Sequence, residues 1–281
     1  MRFRQLLSLV GLLLLPFSLA AQESGMACHG SFAEFASDAE FRAQHPSPEA
    51  ISDEDLKGVM KTLPNADGKD VRAYFVAGRE GSDQYLFVFQ EWWGLNNHIK
   101  QTADAYHEKL RGEVNVIALD LYDGKVAEDP ERAGKLMQSA DSARLTEIVR
   151  TGLAHAGEDA EIGSIGWCFG GGWSLKTALM AGDRATACVM YYGMPVLDVN
   201  RLQDLHTDVL GIFAEQDKWV NQGVVSDFRS AMQMAGQHLR VHTYDADHAF
   251  ANPSGKAYAE EAATDARRKT VSYLREQFGV R

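Results

Sequence analysis

The segment Ile162-Gly163-Ser164-Ile165-Gly166-Trp167-Cys168-Phe169-Gly170-Gly171-Gly172-Trp173-Ser174-Leu175 decides how the rest of the chain is read. Ile162 to Trp167 is short and mostly apolar, as a buried strand requires, and Gly171 to Ala181 reads as a helix. Between them, Gly166-Trp167-Cys168-Phe169-Gly170 leaves room only for a sharp turn. In such a turn the positions two before and two after the central residue must be small, and both are glycine. The turn would push the Cys168 sulfur out at the carboxyl edge of a sheet and aim the Phe169 N–H at a developing oxyanion. The competing reading is a buried structural thiol beside a glycine-rich turn.

The pattern around this segment alternates. Val71 to Ala77 reads as an alternating strand; Tyr85 to Gln90 and Val114 to Leu121 read as apolar strands buried on both faces. Ala185 to Tyr192, Val209 to Ala214 and Arg240 to Tyr244 complete the strands. Helices are predicted at Asn96 to Leu110, Ser142 to Ala156, Val224 to Ala235 and Tyr258 to Phe278. Strands and helices at this spacing imply βαβ units and a parallel sheet, in one domain over residues 68–281. Residues 22–67 read as a helical extension. In it, Ser31 to Arg42 has Phe32, Phe35 and Phe41 at its apolar positions. Ser52-Asp53-Glu54-Asp55 looks like an acidic helix start before Leu56 to Leu63, and Asn65-Ala66-Asp67-Gly68 is a turn signal.

A nucleophile on such a turn requires an acid and then a histidine later in the chain, each after a strand. Asp217 follows the strand ending at Ala214, and His248 follows the strand ending at Tyr244, which brings both to the sheet edge of Cys168. Glu215, Asp245 and Asp247 are rivals for the acid. The other histidines, His29, His45, His98, His107, His155, His206, His238 and His242, read as surface or packing residues.

Gly166-Trp167-Cys168-Phe169-Gly170-Gly171, Tyr191-Tyr192-Gly193, Gln216-Asp217, His248-Ala249-Phe250 and Gln90-Glu91-Trp92-Trp93-Gly94-Leu95-Asn96 together resemble the dienelactone hydrolase family. That resemblance covers residues 70–280. It implies an α/β-hydrolase fold: a mostly parallel central sheet flanked by helices on both faces. It also implies roles. Cys168 would be the nucleophile, His248 the base and acid, and Asp217 the residue that orients it. Glu91 would be an extra carboxylate beside the thiol, with the N–H groups of Trp92 and Phe169 as oxyanion hole. One position departs from the pattern. Where relatives that cleave dienelactone carry an arginine after the His-x-Phe segment, this chain has Ala251-Asn252-Pro253, and Asn252 cannot make a charge-assisted, bidentate contact to a carboxylate. Arg132 is a candidate replacement. All five tryptophans, at 92, 93, 167, 173 and 219, lie near the motif residues. Trp93, Trp167, Tyr192, Trp219, Phe250 and Asn252 are therefore candidates to line an aromatic, largely apolar pocket for an uncharged substrate.

The 281 residues carry 28 Lys+Arg against 39 Asp+Glu, a net charge of −11, which argues against a nucleic-acid partner. Met1 to Ala21 reads as a cleaved secretory signal: Arg2 and Arg4, an apolar run Leu6 to Leu19, then small residues. Its removal takes Arg2 and Arg4 and moves the charge to −13, with a periplasmic or secreted destination and no membrane partner afterwards. Three cysteines leave at least one thiol unpaired within the chain. Cys188, in an apolar strand, reads as a core thiol, and Cys28 is open between a free thiol and a Cys28–Cys188 bridge. No glycine-rich nucleotide pattern and no metal-ligand spacing appear, so no cofactor or metal is expected. The sequence thus points to an enzyme that hydrolyses a small ester, lactone or thioester. An acyltransferase on the same triad, or a non-catalytic binding protein on the same scaffold, are the alternatives.

Overall fold

The computed structural model describes residues 34–66 and 68–281. Met1 to Ala21 and Cys28 therefore lie outside the described residues. A mostly parallel sheet holds β1 (Val59–Leu63), β2 (Val71–Val76), β3 (Gln84–Phe89), β4 (Asn115–Leu119), β5 (Glu161–Trp167), β6 (Ala185–Tyr191), β7 (Val209–Ala214) and β8 (Leu239–Tyr244). The spatial order is β1-β2-β4-β3-β5-β6-β7-β8, with β1–β2 and β2–β4 antiparallel and every other pair parallel. The helices are α1 (Ala39–Gln44), α2 (Asn97–Lys109), α3 (Pro130–Ser139), α4 (Ser142–Ala156), α5 (Phe169–Ala181), the single turn α6 (Val199–Leu202), α7 (Gln222–Met234) and α8 (Glu260–Gln277).

The strand composition follows from cover on both faces. β4 and β7 are buried along their whole length, so they carry no alternation. α5 packs on β5 and β6 and touches α4. α2 lies against β4 and β2, and Arg275 of α8 donates from Nε to Lys109 O of α2 at 2.7 Å. Helix starts are set locally: Asn96, Asp129, Asp141 and Asn221 each accept a backbone N–H through the side chain, satisfying donors the first turn leaves open.

Three expectations change. Leu56 to Leu63 is not helical. Ser52 Oγ accepts from Glu54 N–H and closes one 3-10 turn at Asp53–Asp55, after which the chain extends into β1. There it pairs Val59 with Phe75 and Leu63 with Val71, satisfying the outer backbone groups of β2. β2 shows only Arg72 exposed rather than an alternation, because β1, β4 and helices cover it. α3 was not anticipated, although Asp129-Pro130-Glu131 is a cap followed by proline at the first helical position. The predicted helix Ser31 to Arg42 begins in residues that are not described; the described part has Asp38 capping α1. No helix among the described residues is long and apolar enough to cross a membrane.

Candidate active site

Cys168 lies between β5 and α5 with φ 53° and ψ −120°. A non-glycine residue held there carries strain of about 1–3 kcal/mol. The turn is closed by Cys168 N–H to Tyr191 O and Gly171 N–H to Cys168 O, both 3.0 Å. Space fixes its glycines: a Cβ on Gly166 would sit 2.1 Å from Gly170 O, and one on Gly170 would sit 2.4 Å from Gln90 O.

The carboxyl ends of β7 and β8 bring the partners to the same edge. Asp217 Oδ1 accepts from the Trp219 and Val220 N–H groups, each at 2.9 Å. Its Oδ2 is 2.6 Å from His248 Nδ1, and both side chains are wholly buried. A ring nitrogen of His248 lies within 4.8 Å of the Cys168 sulfur. Burial pushes the Cys168 thiol up, against the pull of His248 and the Phe169 N–H. Burial also opposes charge on His248, but Asp217 and Cys168 outweigh it and hold the imidazole well above its ordinary range. Asp217 is held down, because His248 and two N–H donors overcome its burial. The resting arrangement is a protonated thiol beside an ion-paired imidazole.

Glu91 follows β3 and is buried, which lifts its carboxyl to about 7 against the opposing pull of His248 and Asn252. Asn252 Nδ2 donates to Glu91 Oε2 at 2.9 Å. Glu91 and Asn252 also line a cavity of about 380 Å³ together with Trp93, Trp167, Lys109 and Arg267. Of the residues expected around a substrate, Trp93, Trp167 and Asn252 line this cavity. Tyr192, Trp219 and Phe250 do not line it. Tyr192 lies 5.0 Å from His248 at a tilt, with Phe250 edge-on 5.6 Å from Tyr192, and Trp219 lies 5.7 Å from His248, so Tyr192 and Trp219 wall the imidazole. Nor do Trp92 and Trp173 reach it: Trp92 packs on Phe41, and Trp173 on Phe169. The lining is also not uncharged, since α2 and α8 contribute Lys109 and Arg267. Arg132 is exposed in the first turn of α3 and takes no part.

The dienelactone hydrolase family model matches residues 71–278. The chain belongs to the dienelactone hydrolase family. It is similar to Protein usf of Aquifex pyrophilus, 30% identical over 224 residues that cover 74% of this chain and 94% of that one. It is 29% identical, over 74% of its length and 94% of the other, to an Aquifex aeolicus protein provisionally named a carboxymethylenebutenolidase. Its fold is shared with a dienelactone hydrolase-like promiscuous phosphotriesterase from metagenomic libraries (TM-score 0.68, 20% identity, 79% and 98% of the two chains). It is shared also with the dienelactone hydrolase of Anabaena variabilis (TM-score 0.57, 14% identity, 79% and 98%). The protein is a hydrolase with the α/β-hydrolase fold of this family.

This dienelactone hydrolase family member adds something before residue 71. α1 lies over the sheet edge that carries Cys168 and His248. Phe41 is wholly buried, with ring centroids 4.9 Å from Trp219, 5.1 Å from Trp92 and 5.6 Å from His248. Trp219 Nε1 donates to Asp38 Oδ2 at 3.2 Å, and Lys218 pairs with Glu40. His45, expected at the surface or in plain packing, is 2% exposed, with its ring 5.8 Å from that of His248. Burial and the neighbouring His248 charge press its imidazole down to about 4, so it is neutral. Sequence reasoning found Phe41 as an apolar helix position but not what it covers. No local signal marks His45, because its role arises only when the extension folds back on the sheet edge. Cys188 is a buried thiol on β6, 3.7 Å from Ser174 Oγ.

Proposed function

We propose that this hydrolase cleaves a small ester, lactone or thioester through a Cys168–His248–Asp217 triad and a thioester acyl-enzyme. The observation that carries this reading is the strained Cys168 turn with His248 bonded to Asp217 and within 4.8 Å of the thiol. The substrate occupies the Glu91-lined cavity and presents its carbonyl to the sulfur. His248 already carries its proton, so the Cys168 proton leaves to ionised Glu91, and the thiolate attacks the carbonyl carbon. The oxyanion is received by the N–H groups of Trp92 and Phe169, an arrangement that favours the tetrahedral state over the planar one. Collapse expels the alkoxide, which takes a proton from His248 and leaves the acyl group on Cys168. Water, deprotonated by His248, then attacks the thioester, and the acid departs as the thiol re-forms. Asp217 holds the ring through both steps without itself taking the proton. Lys109 and Arg267 in the lining favour substrates that carry an anionic group away from the reacting carbonyl. We propose further that Met1 to Ala21 directs export and is removed.

The test is hydrolysis of short aryl esters, with and without an acidic substituent, by wild type and Cys168→Ala. A loss of at least about 10³-fold is expected, with an acyl adduct on Cys168 seen by mass spectrometry in wild type. Equal rates in the two proteins would remove the proposed nucleophile. Amino-terminal sequencing of the exported protein checks the leader.

A further inference from the structure

We propose that His45, Cys168 and His248 form a binding site for a thiophilic divalent metal ion of the Zn²⁺ type. One ligand atom from each of the three residues lies within 4.8 Å of the others, and all three residues are buried. The donor set, one sulfur and two imidazole nitrogens, is the kind that suits Zn²⁺.

The rings are already oriented as metal-binding histidines are. His45 donates from Nδ1 to Phe41 O at 2.7 Å, and His248 engages Asp217 from Nδ1 at 2.6 Å. A carbonyl behind one ring and a carboxylate behind the other fix both tautomers and leave Nε2 as the donor on the site side. An independent observation points to a ligand. His45 Nε2 is buried and has no hydrogen-bond partner among the described residues. An acceptor nitrogen shut away from water without a partner costs about 1–3 kcal/mol, so something that binds there recovers that free energy.

Distances are compatible with small movements. Bonds of about 2.0–2.3 Å in a tetrahedron space ligand atoms about 3.3–3.7 Å apart. Closing from 4.8 Å asks for modest rotation of His45 on the short segment after α1. On binding, the Cys168 S–H bond breaks and a metal–sulfur bond forms. The thiol proton, with any proton on His248, passes to solvent. Two metal–nitrogen bonds follow, a water completes the tetrahedron, and no oxidation state changes.

His45 precedes residue 71, where the family match begins, so this third donor comes from the extension and not from the matched domain. The metal site stands by itself; one consequence, that occupancy silences hydrolysis by tying up Cys168 and His248, rests on the proposed function.

The experiment uses the full-length, reduced, metal-free protein titrated with Co²⁺, then Zn²⁺, under anaerobic conditions. The expected result is one equivalent of Co²⁺ giving tetrahedral d–d bands and a thiolate-to-metal charge-transfer band, both erased by one equivalent of Zn²⁺. X-ray absorption should count one sulfur and two imidazole nitrogens. Cys168→Ser should abolish the charge-transfer band, and His45→Ala should weaken Zn²⁺ binding at least 100-fold with an unchanged circular dichroism spectrum. If His45→Ala fails to fold, the ligand count in wild type decides. No charge-transfer band, a count of one nitrogen, or His45→Ala binding as tightly as wild type would overturn the site. So would a band that is lost in Cys28→Ser and retained in Cys168→Ser. Ester turnover, followed separately, tells failure of the metal site from failure of the hydrolase reading.

Discussion

Glu91 and Gly170 show what single residues contribute at the catalytic edge. A carboxyl raised from 4.5 to about 7 by burial binds its proton more tightly folded than unfolded. Between about pH 4.5 and 7 the folded chain holds a proton that the unfolded chain has released. Stability therefore falls as pH rises through that window and stays lowered above it, by on the order of 3 kcal/mol at most. Glu91→Gln is expected to raise the thermal midpoint at pH 8 and leave it unchanged near pH 4, while lowering ester turnover. Calorimetry at the two pH values checks it; equal shifts would show that the burial of charge is not the cause. Asn252 donates to the carboxylate, so Asn252→Leu should move any Glu91-dependent limb of the pH–rate profile upward. Gly170→Ala places a Cβ against the backbone oxygens of Phe89 and Gln90. A cost of about 1–3 kcal/mol is expected, with at least a tenfold loss of turnover, because those oxygens belong to the strand end that carries Glu91. Thermal melts and turnover below the transition measure both.

At the scale of elements, most of the βα alternation from β3 to α8 is legible because β3 to β7 are short and largely apolar and α2, α4 and α7 begin at capping residues. The elements the sequence pattern does not give are β1, α3 and the single turn α6. β1 has the composition of a half-exposed segment, and only the unpaired edge of β2 makes a strand of it. α3 carried a readable cap at Asp129-Pro130, which amphipathic pattern alone does not reveal. α1 is the element that matters most for the site. Removing a buried phenylalanine usually costs about 3–5 kcal/mol. Phe41 anchors α1, which lies outside the sheet, so the effect should be mainly local. Phe41→Ala is expected to raise the rate of Cys168 modification by an aromatic disulfide reagent at least tenfold, with a smaller fall in global stability. Thiol-release kinetics check this, and an unchanged rate would mean that α1 does not guard the sulfur.

The whole molecule joins a family domain, matched over residues 71–278, to an extension that completes the sheet at one edge and covers the catalytic edge. The extension is tied down along its length: Asn97 Nδ2 donates to Ile51 O at 2.7 Å, Lys57 N–H to Asp104 at 3.1 Å, and Gly58 N–H to Tyr74 Oη at 2.6 Å. A chain beginning at Gly68 would expose the outer backbone of β2 and uncover Trp92 and Trp219. Such a chain is expected to self-associate through the open strand edge. Light scattering against concentration measures it, and a stable monomer would show that β1 is dispensable.

By itself the sequence determined the elbow at Cys168, the chain order of Asp217 and His248, and the α/β class. All three are local: glycines flank a strained turn, and a strand precedes each functional loop. It could not determine which tryptophans face the cavity, that Lys109 and Arg267 enter its lining, or that His45 meets Cys168. Those facts depend on how separate elements pack, since a side chain's neighbours across space are set by the sheet order and by the extension folding back. Composition and spacing carry no record of either. The tertiary structure therefore decided the charge of the pocket and the buried imidazole of His45 near the thiol.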